Sequence, residues 1–122
     1  MKGKYFRKVD SKGRITIPSK WDIKEDLVIM YQHDYLVIMD EENWEKMYGI
    51  PNYEMLTEKE RMKERQLYSR SYKRSVDKTR RLRIGLVKLG DESNNVELIG
   101  MGNCFEVHYD KDKFKSPLDE LK

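Results

Sequence analysis

Apolar and polar residues alternate in two short segments near the start of the chain. Lys4–Val9 and Arg14–Ile17 both follow this period of two, which is typical of half-buried β-strands. Ser-Lys-Gly between them predicts a tight loop, because glycine adopts positive φ angles without steric cost. Pro18 ends the second strand, because proline has no backbone N–H to donate to a neighbouring strand.

Longer apolar runs follow. Leu27–Met30 and Tyr35–Met39 flank a polar turn and predict a buried hairpin. Before it, Ser19 can cap a short helix over Trp21–Glu25. After it, the acids of Asp40–Trp44 predict a second helix start, because carboxylates are favourable near the positive end of a helix dipole.

The middle of the chain predicts a longer helix. Thr57 and Glu60 have the spacing of a capping box, in which each side chain bonds the other residue's backbone N–H. The helical pattern continues to about Arg70 and connects the two parts of the chain. We expect its buried stripe to contain Met62, Leu67 and Tyr68.

The second part of the chain repeats the first. Val76–Ile84 aligns with Val9–Ile17 without a gap, at a period of about 67 residues. Both segments carry an aspartate followed four positions later by an arginine, namely Asp10 with Arg14 and Asp77 with Arg81. After this second loop the pattern predicts a short helix over Leu86–Leu89, strands over Val96–Ile99 and Phe105–Tyr109, and another acidic helix start from Asp110 to Phe114.

Positive charge is concentrated in two segments of the chain. The 122 residues are 38% apolar and 39% charged, which predicts one thin-cored domain or two small halves sharing a core. Lys2–Lys20 and Arg70–Arg83 each hold seven Lys or Arg residues against one Asp, although the net charge is only +3. Two basic segments on an acidic body favour a surface that binds polyanions. We expect Trp21, Trp44 and Phe114 to lie in the core.

Other residue types exclude several classes of function. Cys104 is the single cysteine, so it cannot form an internal disulfide, and we expect a small buried residue in a reducing cytoplasm. The sequence contains no apolar segment of membrane-spanning length, and because MKGKYFRK has no hydrophobic region, we expect no secretory leader. His33 and His108 lack partners at metal-ligand spacing, and no nucleophile–base pair is evident. We therefore expect no enzyme activity, metal, cofactor or small-molecule substrate.

Three segments carry a resemblance to a known family. "VDSKGRITIPSK" resembles the AbrB-type swapped-hairpin motif, in which an acid is followed by Gly-Arg, alternating aliphatic residues and Pro. Two such units, joined by a helix containing "LTEKERMKER" and followed by "VELIGMGNCFEV", resemble the MraZ family. The similarity covers about residues 3–115.

This resemblance implies an α+β, mainly β fold. Two tandem SpoVT-AbrB halves, over 1–54 and 71–122, would form a pseudo-symmetric swapped-hairpin barrel with short helices, joined by a helix over 55–70. It also implies a transcriptional regulator in the bacterial cytoplasm, at the nucleoid. Its partners would be double-stranded DNA, at direct repeats upstream of the division and cell-wall gene cluster and of its own gene, and further copies of itself in a ring.

The candidate DNA-binding residues lie in the two basic loops. The forked guanidinium of arginine matches the two acceptors of guanine, so we assign Arg14 and Arg81 to base contacts or groove insertion. Lys8, Lys12, Lys78 and Arg80 would mainly hold phosphates, which gives affinity without sequence information. Asp10, Asp77 and Gly13 would orient the loops. Alternatively, each Asp–Arg pair only staples its own loop.

The two loops differ at one position. Arg80 stands where the first loop has Gly13, and a non-glycine residue in a left-handed turn costs about 1 kcal/mol. Gly85 likewise stands in place of Pro18.

Two other classes of function remain open. An AbrB-like or MazE-like antitoxin would bind DNA and also a toxin, but such proteins generally have one motif and a disordered acidic tail. A scaffold protein would assemble without binding DNA.

Overall fold

The computed structural model describes residues 1–50, 52–90 and 94–118. The fold is α+β and consists mainly of strands with two short α-helices. In chain order the elements are β1 (Lys4–Lys8), β2 (Arg14–Thr16), β3 (Asp26–Tyr31), β4 (Tyr35–Asp40), α1 (Glu41–Tyr48), a 3₁₀ turn (Tyr53–Met55), α2 (Glu58–Ser69), β5 (Ser71–Ser75), β6 (Arg81–Arg83), β7 (Val87–Lys88), β8 (Asn95–Gly100), β9 (Cys104–His108) and β10 (Phe114–Lys115). The predicted strands are confirmed: β1, β2, β5 and β6 flank the two loops, and β3 with β4 and β8 with β9 form the two hairpins.

A six-stranded antiparallel sheet forms the centre of the molecule, in the order β1-β8-β9-β4-β3-β5. Its pairing joins residues far apart in sequence: Lys4 lies opposite Ile99 in the β1–β8 pair, and Val37 opposite Glu106 in the β4–β9 pair. The β-hairpin of β3 and β4 closes through Gln32, whose N–H donates to the Tyr35 carbonyl at 2.9 Å.

Strands β2 and β6 form a separate two-stranded ribbon. Ile15 lies directly opposite Leu82, with Arg14 opposite Arg83 and Thr16 opposite Arg81. The Ile15 and Leu82 side chains are completely buried, because alternate residues of a strand point to opposite faces. The ribbon is thus held on the main core by its apolar face, and its other face is turned outward.

The core consists of two apolar clusters. The larger one contains Trp21 and Phe114, whose burial confirms their predicted place. The smaller one packs Trp44 of α1 against apolar side chains of β3 and β4. Cys104, at the start of β9, is half-buried against this second cluster, and burial raises the pKa of its thiol.

Both helices begin as predicted. The Asp40 carboxylate accepts from the Asn43 N–H at 2.8 Å and caps α1. Thr57 and Glu60 form the expected capping box at the start of α2. None of the α2 residues, all of them in the described part of the chain, is buried. The prediction of a buried stripe was wrong: Met62 and Tyr68 are exposed, and Leu67 is half-buried. No helix among the described residues is both long and apolar enough to cross a membrane.

The helix predicted over Trp21–Glu25 is absent: a turn at Ser19 and Lys20 is followed by irregular backbone up to β3. In a helix, the Trp21 carbonyl would accept from the Glu25 N–H. Here that carbonyl accepts from Arg80 at 2.6 Å, while the indole N–H of Trp21 donates to the Lys2 carbonyl at 2.8 Å. Long-range contacts therefore replace the local helix.

Two other helix predictions, in the second part of the chain, were also wrong. The segment Leu86–Leu89 contains β7, because the Leu89 N–H donates to the Lys113 carbonyl at 2.7 Å instead of to the preceding turn. The start at Asp110 makes only one turn, in which the Lys113 and Phe114 N–H groups both donate to its carbonyl at 3.0 Å. Phe114 then enters β10 and pairs with β7.

Gly85, two residues after β6, lies in close contact with Tyr31. Replacing Gly85 by Ala is expected to destabilise the fold by about 2–3 kcal/mol. Its φ is +77°, and a Cβ there would lie 2.5 Å from the Tyr31 Oη, which donates to the Ile84 carbonyl at 2.6 Å. Gly102→Ala is the matched control, because its φ is +87° but its Cβ would meet open space. Urea denaturation should show the larger loss for Gly85→Ala. Equal losses would contradict the clash.

Candidate nucleic-acid interface

The first loop is built around the Asp10 carboxylate. Its Oδ1 accepts from the backbone N–H groups of Lys12 and Arg14, both at 2.9 Å, and its Oδ2 accepts from the Arg14 Nε at 2.9 Å. Gly13, with a φ of +77°, completes the reversal by donating its N–H to the Asp10 carbonyl at 2.9 Å. Asp10 thus both caps the loop and holds its arginine.

The second loop repeats this geometry with different residues. The Asp77 Oδ1 accepts from the N–H groups of Thr79 and Arg81 at 2.9 Å, and its Oδ2 accepts from the Arg81 Nε at 3.0 Å. Arg80 occupies the position of Gly13 with a φ of 62°, so it adopts the left-handed conformation that the alignment predicts. The stapling that we considered as an alternative role for the Asp–Arg pairs is therefore present in both loops.

The two loops lie at opposite ends of the short antiparallel ribbon of β2 and β6. The Arg14 side chain reaches from the first loop to the second, where its Nη1 lies 3.7 Å from the Asp77 Oδ2. Arg14 therefore contacts the carboxylates of both loops, and its side chain is only 20% exposed, against 40% for Arg81. Arg81 is the more accessible of the two predicted base-contacting residues.

The outward side of the ribbon and its loops carries a concentration of positive charge, which we call the ribbon face. Arg83, exposed and directly opposite Arg14, belongs to it but was not among the residues predicted to bind DNA. The alternation of charged and apolar residues in Arg81–Arg83 is the sequence signal that places Arg83 on the same side of β6 as Arg81. Like charges facing each other across a ribbon are destabilising, so an anion bound here would relieve repulsion. The cations of the ribbon face are Lys12, Arg14, Lys78, Arg81 and Arg83.

Lys8 and Arg80 lie outside the ribbon face. Lys8 is exposed at the end of β1. The Arg80 guanidinium instead donates to the carbonyls of Pro18 at 2.7 Å and Trp21 at 2.6 Å, and its Nε donates to that of Ile17 at 3.4 Å. Arg80 thus fastens the second loop to the segment after β2, a role that its predicted phosphate contact did not include.

Comparison with known families bears on the first loop. The chain matches the family model of MraZ proteins, which are described as antitoxin-like, over residues 1–66. The chain belongs to the MraZ family. The match contains the first loop, whereas the second loop lies beyond it and is related to the first by its geometry. MraZ membership supports a regulator-type role. A search of curated proteins finds no match.

Hydrogen bonding lowers the carboxylate pKa values in both loops. The Arg14 N–H, more than any other group, holds the pKa of Asp10 below its usual value. The Arg81 N–H, assisted by Thr79 and by the Arg81 charge, lowers the pKa of Asp77 from 3.8 to about 2. Both carboxylates are therefore ionised at neutral pH and reduce the positive charge of the ribbon face.

This shift predicts how the stability of the MraZ fold depends on pH. Because the folded-state pKa of Asp77 is depressed, its stabilising contribution is complete above its unfolded value of 3.8 and is lost as the pH falls towards 2. We expect the stability difference between the wild type and Asp77→Asn to shrink over that interval. Chemical denaturation at several pH values measures it, and a carboxylate NMR titration gives the pKa directly. A pKa of Asp77 near 3.8 would contradict the prediction.

Arg80→Ala is expected to destabilise the MraZ fold by about 2 kcal/mol, because it removes charged hydrogen bonds to backbone carbonyls while keeping the strained φ. Lys78→Ala, a change at an exposed position in the same loop, should cost less than about 0.5 kcal/mol. Urea denaturation compares the two variants. Equal stabilities would show that the Arg80 contacts contribute nothing.

Proposed function

We propose that this protein is a transcriptional regulator that binds double-stranded DNA through the ribbon face. The observation that carries the proposal is the contact between two carboxylate-stapled loops, which gathers five cations around one antiparallel ribbon. The targets that we propose are direct repeats upstream of the bacterial division and cell-wall gene cluster, including the protein's own gene. The site of action would be the nucleoid, in the cytoplasm.

The shape of the ribbon suits the DNA major groove, which admits a two-stranded β-ribbon. Arg81 and Arg83 extend from the outward side of β6, and Arg81 would contact base edges. Lys12 and Lys78, exposed in the two loops, would hold the flanking phosphates. Lys8, exposed at the end of β1, would add a further phosphate contact. Arg14, held by two carboxylates, would contribute less than Arg81.

We also propose that two tandem halves, over 1–54 and 71–122, share a swapped-hairpin barrel and are joined by 55–70. The strand registers support an internal twofold relation. Pairing is centred on Ile15 opposite Leu82 in the ribbon and on Val37 opposite Glu106 in the sheet. Strand β1 pairs with β8, and β5 pairs with β3, so each half lends its first strand to the other. This relation would present both loops to DNA in equivalent orientations.

Self-association would increase the affinity of such a small ribbon. When one subunit of an assembly binds a repeat, the other subunits are held at a high effective concentration near the neighbouring repeats. Large apolar side chains are exposed on and between the two helices, where a second copy could cover them. They are Met47, Tyr53, Met55, Met62 and Tyr68. We propose that this helical surface joins the subunits of a ring.

The direct test is binding of the purified full chain to its own upstream DNA, measured by fluorescence anisotropy against a shuffled duplex of equal length. We expect a marked preference for the native sequence and a steep loss of affinity between about 50 and 200 mM salt, because bound lysines and arginines release counterions from the phosphates. Footprinting should protect regularly spaced repeats. Equal, salt-insensitive binding of both duplexes would refute the proposal.

A second candidate is an antitoxin that binds both DNA and a toxin, which the description of the MraZ family as antitoxin-like favours. The exposed helical surface would then bind the toxin. Affinity capture of a small co-transcribed protein, lost on Met62→Glu, would support this alternative. Formation of homo-oligomers without DNA binding would instead indicate a scaffold.

A further inference from the structure

A cavity of about 750 Å³ opens beside the first loop. One side is formed by Asp10–Gly13, and the opposite side by Gly85–Lys88 together with Arg83. Its size falls within the range of small-molecule sites, about 300–1,000 Å³. We call it the first-loop cavity.

The lining of this cavity combines cations with an apolar wall. Lys12, Arg83 and Lys88 supply three positive charges. Among the lining residues that the structure describes, Asp10 has the one carboxylate, and it already accepts three hydrogen bonds from its own loop. The apolar wall consists of Val9, Leu86 and Val87. Such a lining suits an anion attached to an organic group.

The second loop offers an internal comparison. The cavity beside it measures about 400 Å³, and its charges are mixed, because Glu25 and Asp77 accompany the cations there. Arg80, which occupies the position of Gly13, spans this region and binds the carbonyls of Pro18 and Trp21. Two loops of the same backbone geometry thus have different surroundings. Of the two cavities, the one beside the glycine loop is the larger, and its described lining carries three positive charges against one negative, compared with three against two beside the second loop.

We propose that the first-loop cavity binds a phosphate-bearing organic anion of nucleotide size. Lys12, Arg83 and Lys88 would hold the phosphate through charge-assisted hydrogen bonds, and the apolar wall would cover the organic group. The phosphate has two possible sources, a free nucleotide or a DNA strand that passes the ribbon. Because Lys12 and Arg83 also belong to the ribbon face, a free nucleotide bound here would compete with DNA.

The test is a ¹H–¹⁵N NMR titration of the full chain with two probes, AMP and a short duplex of unrelated sequence. Binding of AMP should produce saturable shifts of the Gly13, Gly85 and Val87 amides, with Lys24 and Lys78 at the second cavity unaffected. The same shifts with the duplex would identify a DNA strand as a source of the phosphate, and shifts with AMP alone would identify a free nucleotide. Non-saturating shifts spread over all basic segments, with both probes, would overturn the proposal.

Two variants separate the cavity from general surface charge. Lys88→Gln is expected to weaken AMP binding up to about fivefold, as for an exposed ion pair. The control is Lys20→Gln, which makes the same charge change at an exposed residue that lines neither cavity. Equal effects of the two would count against the cavity.

Gly13→Arg gives the sharper result, because Arg80 already shows an arginine at the equivalent position of the same turn. It should fill the cavity and abolish the AMP-induced shifts, although it adds a positive charge. Tighter AMP binding to Gly13→Arg would show that AMP is attracted by surface charge in general and is not bound in the cavity. Lys88 lies outside the ribbon face, so if the phosphate comes from a free nucleotide, Lys88→Gln should weaken AMP binding and leave promoter affinity unchanged, which separates this site from the regulator function. If the phosphate comes from a DNA strand, Lys88→Gln should weaken both.

Discussion

Replacing Arg14 and Arg81 together by Ala is expected to weaken binding to the promoter repeats about 100-fold, since an arginine contact to a base contributes about 1–3 kcal/mol and tenfold corresponds to about 1.4 kcal/mol. Most of the loss should come from Arg81, because its side chain is 40% exposed and that of Arg14 only 20%. Fluorescence anisotropy of the single and double variants measures the effect.

The matched control for this prediction removes the other half of each ion pair. Asp10→Asn with Asp77→Asn keeps an acceptor for the loop N–H groups but removes the carboxylate charge beside each arginine. If the arginines contact DNA, this variant should retain or increase affinity, because the ribbon face becomes more positive. If the pairs only staple the loops, both double variants should lose affinity equally, and the contact prediction fails.

A salt titration separates contacts to phosphates from contacts to bases. Lys12→Ala with Lys78→Ala should weaken binding to every sequence alike and lower the slope of log affinity against log salt by about 2. Loss of base contacts at Arg81 should instead reduce the preference for the native repeats. An unchanged salt slope in the lysine variant would remove Lys12 and Lys78 from the phosphate contacts.

Leu82→Ala is expected to destabilise the fold by about 3 kcal/mol, through lost burial and the cavity that remains. Leu82 is completely buried opposite Ile15, and this pair attaches the ribbon to the core. A domain of this size has about 5–15 kcal/mol of total stability, so the change is a large fraction of it. Urea denaturation monitored by tryptophan fluorescence gives the free energy of unfolding.

Val87→Ala provides the comparison for this core variant. Val87 lies five residues further along and is 55% exposed, so its truncation should cost less than about 0.5 kcal/mol. Similar losses for Leu82→Ala and Val87→Ala would show that the ribbon is not anchored by its apolar face. DNA binding of Leu82→Ala should be measured below its unfolding transition, so that affinity and stability are not confused.

Sequence patterns predicted the parts of this fold that depend on local periodicity. The hairpin of β3 and β4, the cap at Asp40 and the capping box of Thr57 with Glu60 all follow from short-range rules. The equivalence of the two loops also followed from the Asp–Arg spacing, because the same carboxylate geometry results from the same separation of four residues.

Other features depended on contacts that no local pattern contains. Trp21–Glu25 has a helix-like composition, but the Trp21 carbonyl bonds to Arg80, far along the chain. Leu86–Leu89 was too short to separate helix from strand by periodicity, and its pairing with β10 decides the result. The role of Arg80 could not be deduced from its charge, since only the crossing of the second loop over Pro18 brings carbonyls to its guanidinium.

The strand order of the central sheet has a consequence for biosynthesis. β4 has β9 as one neighbour, and β1 pairs with β8 alone. While the ribosome is still adding residues before 95, β4 has one uncovered edge and β1 has no strand to join. A nascent chain at that stage exposes backbone groups that can pair with other chains. Productive folding must therefore await the synthesis of β8 and β9, and chaperones have most reason to engage the chain in that interval.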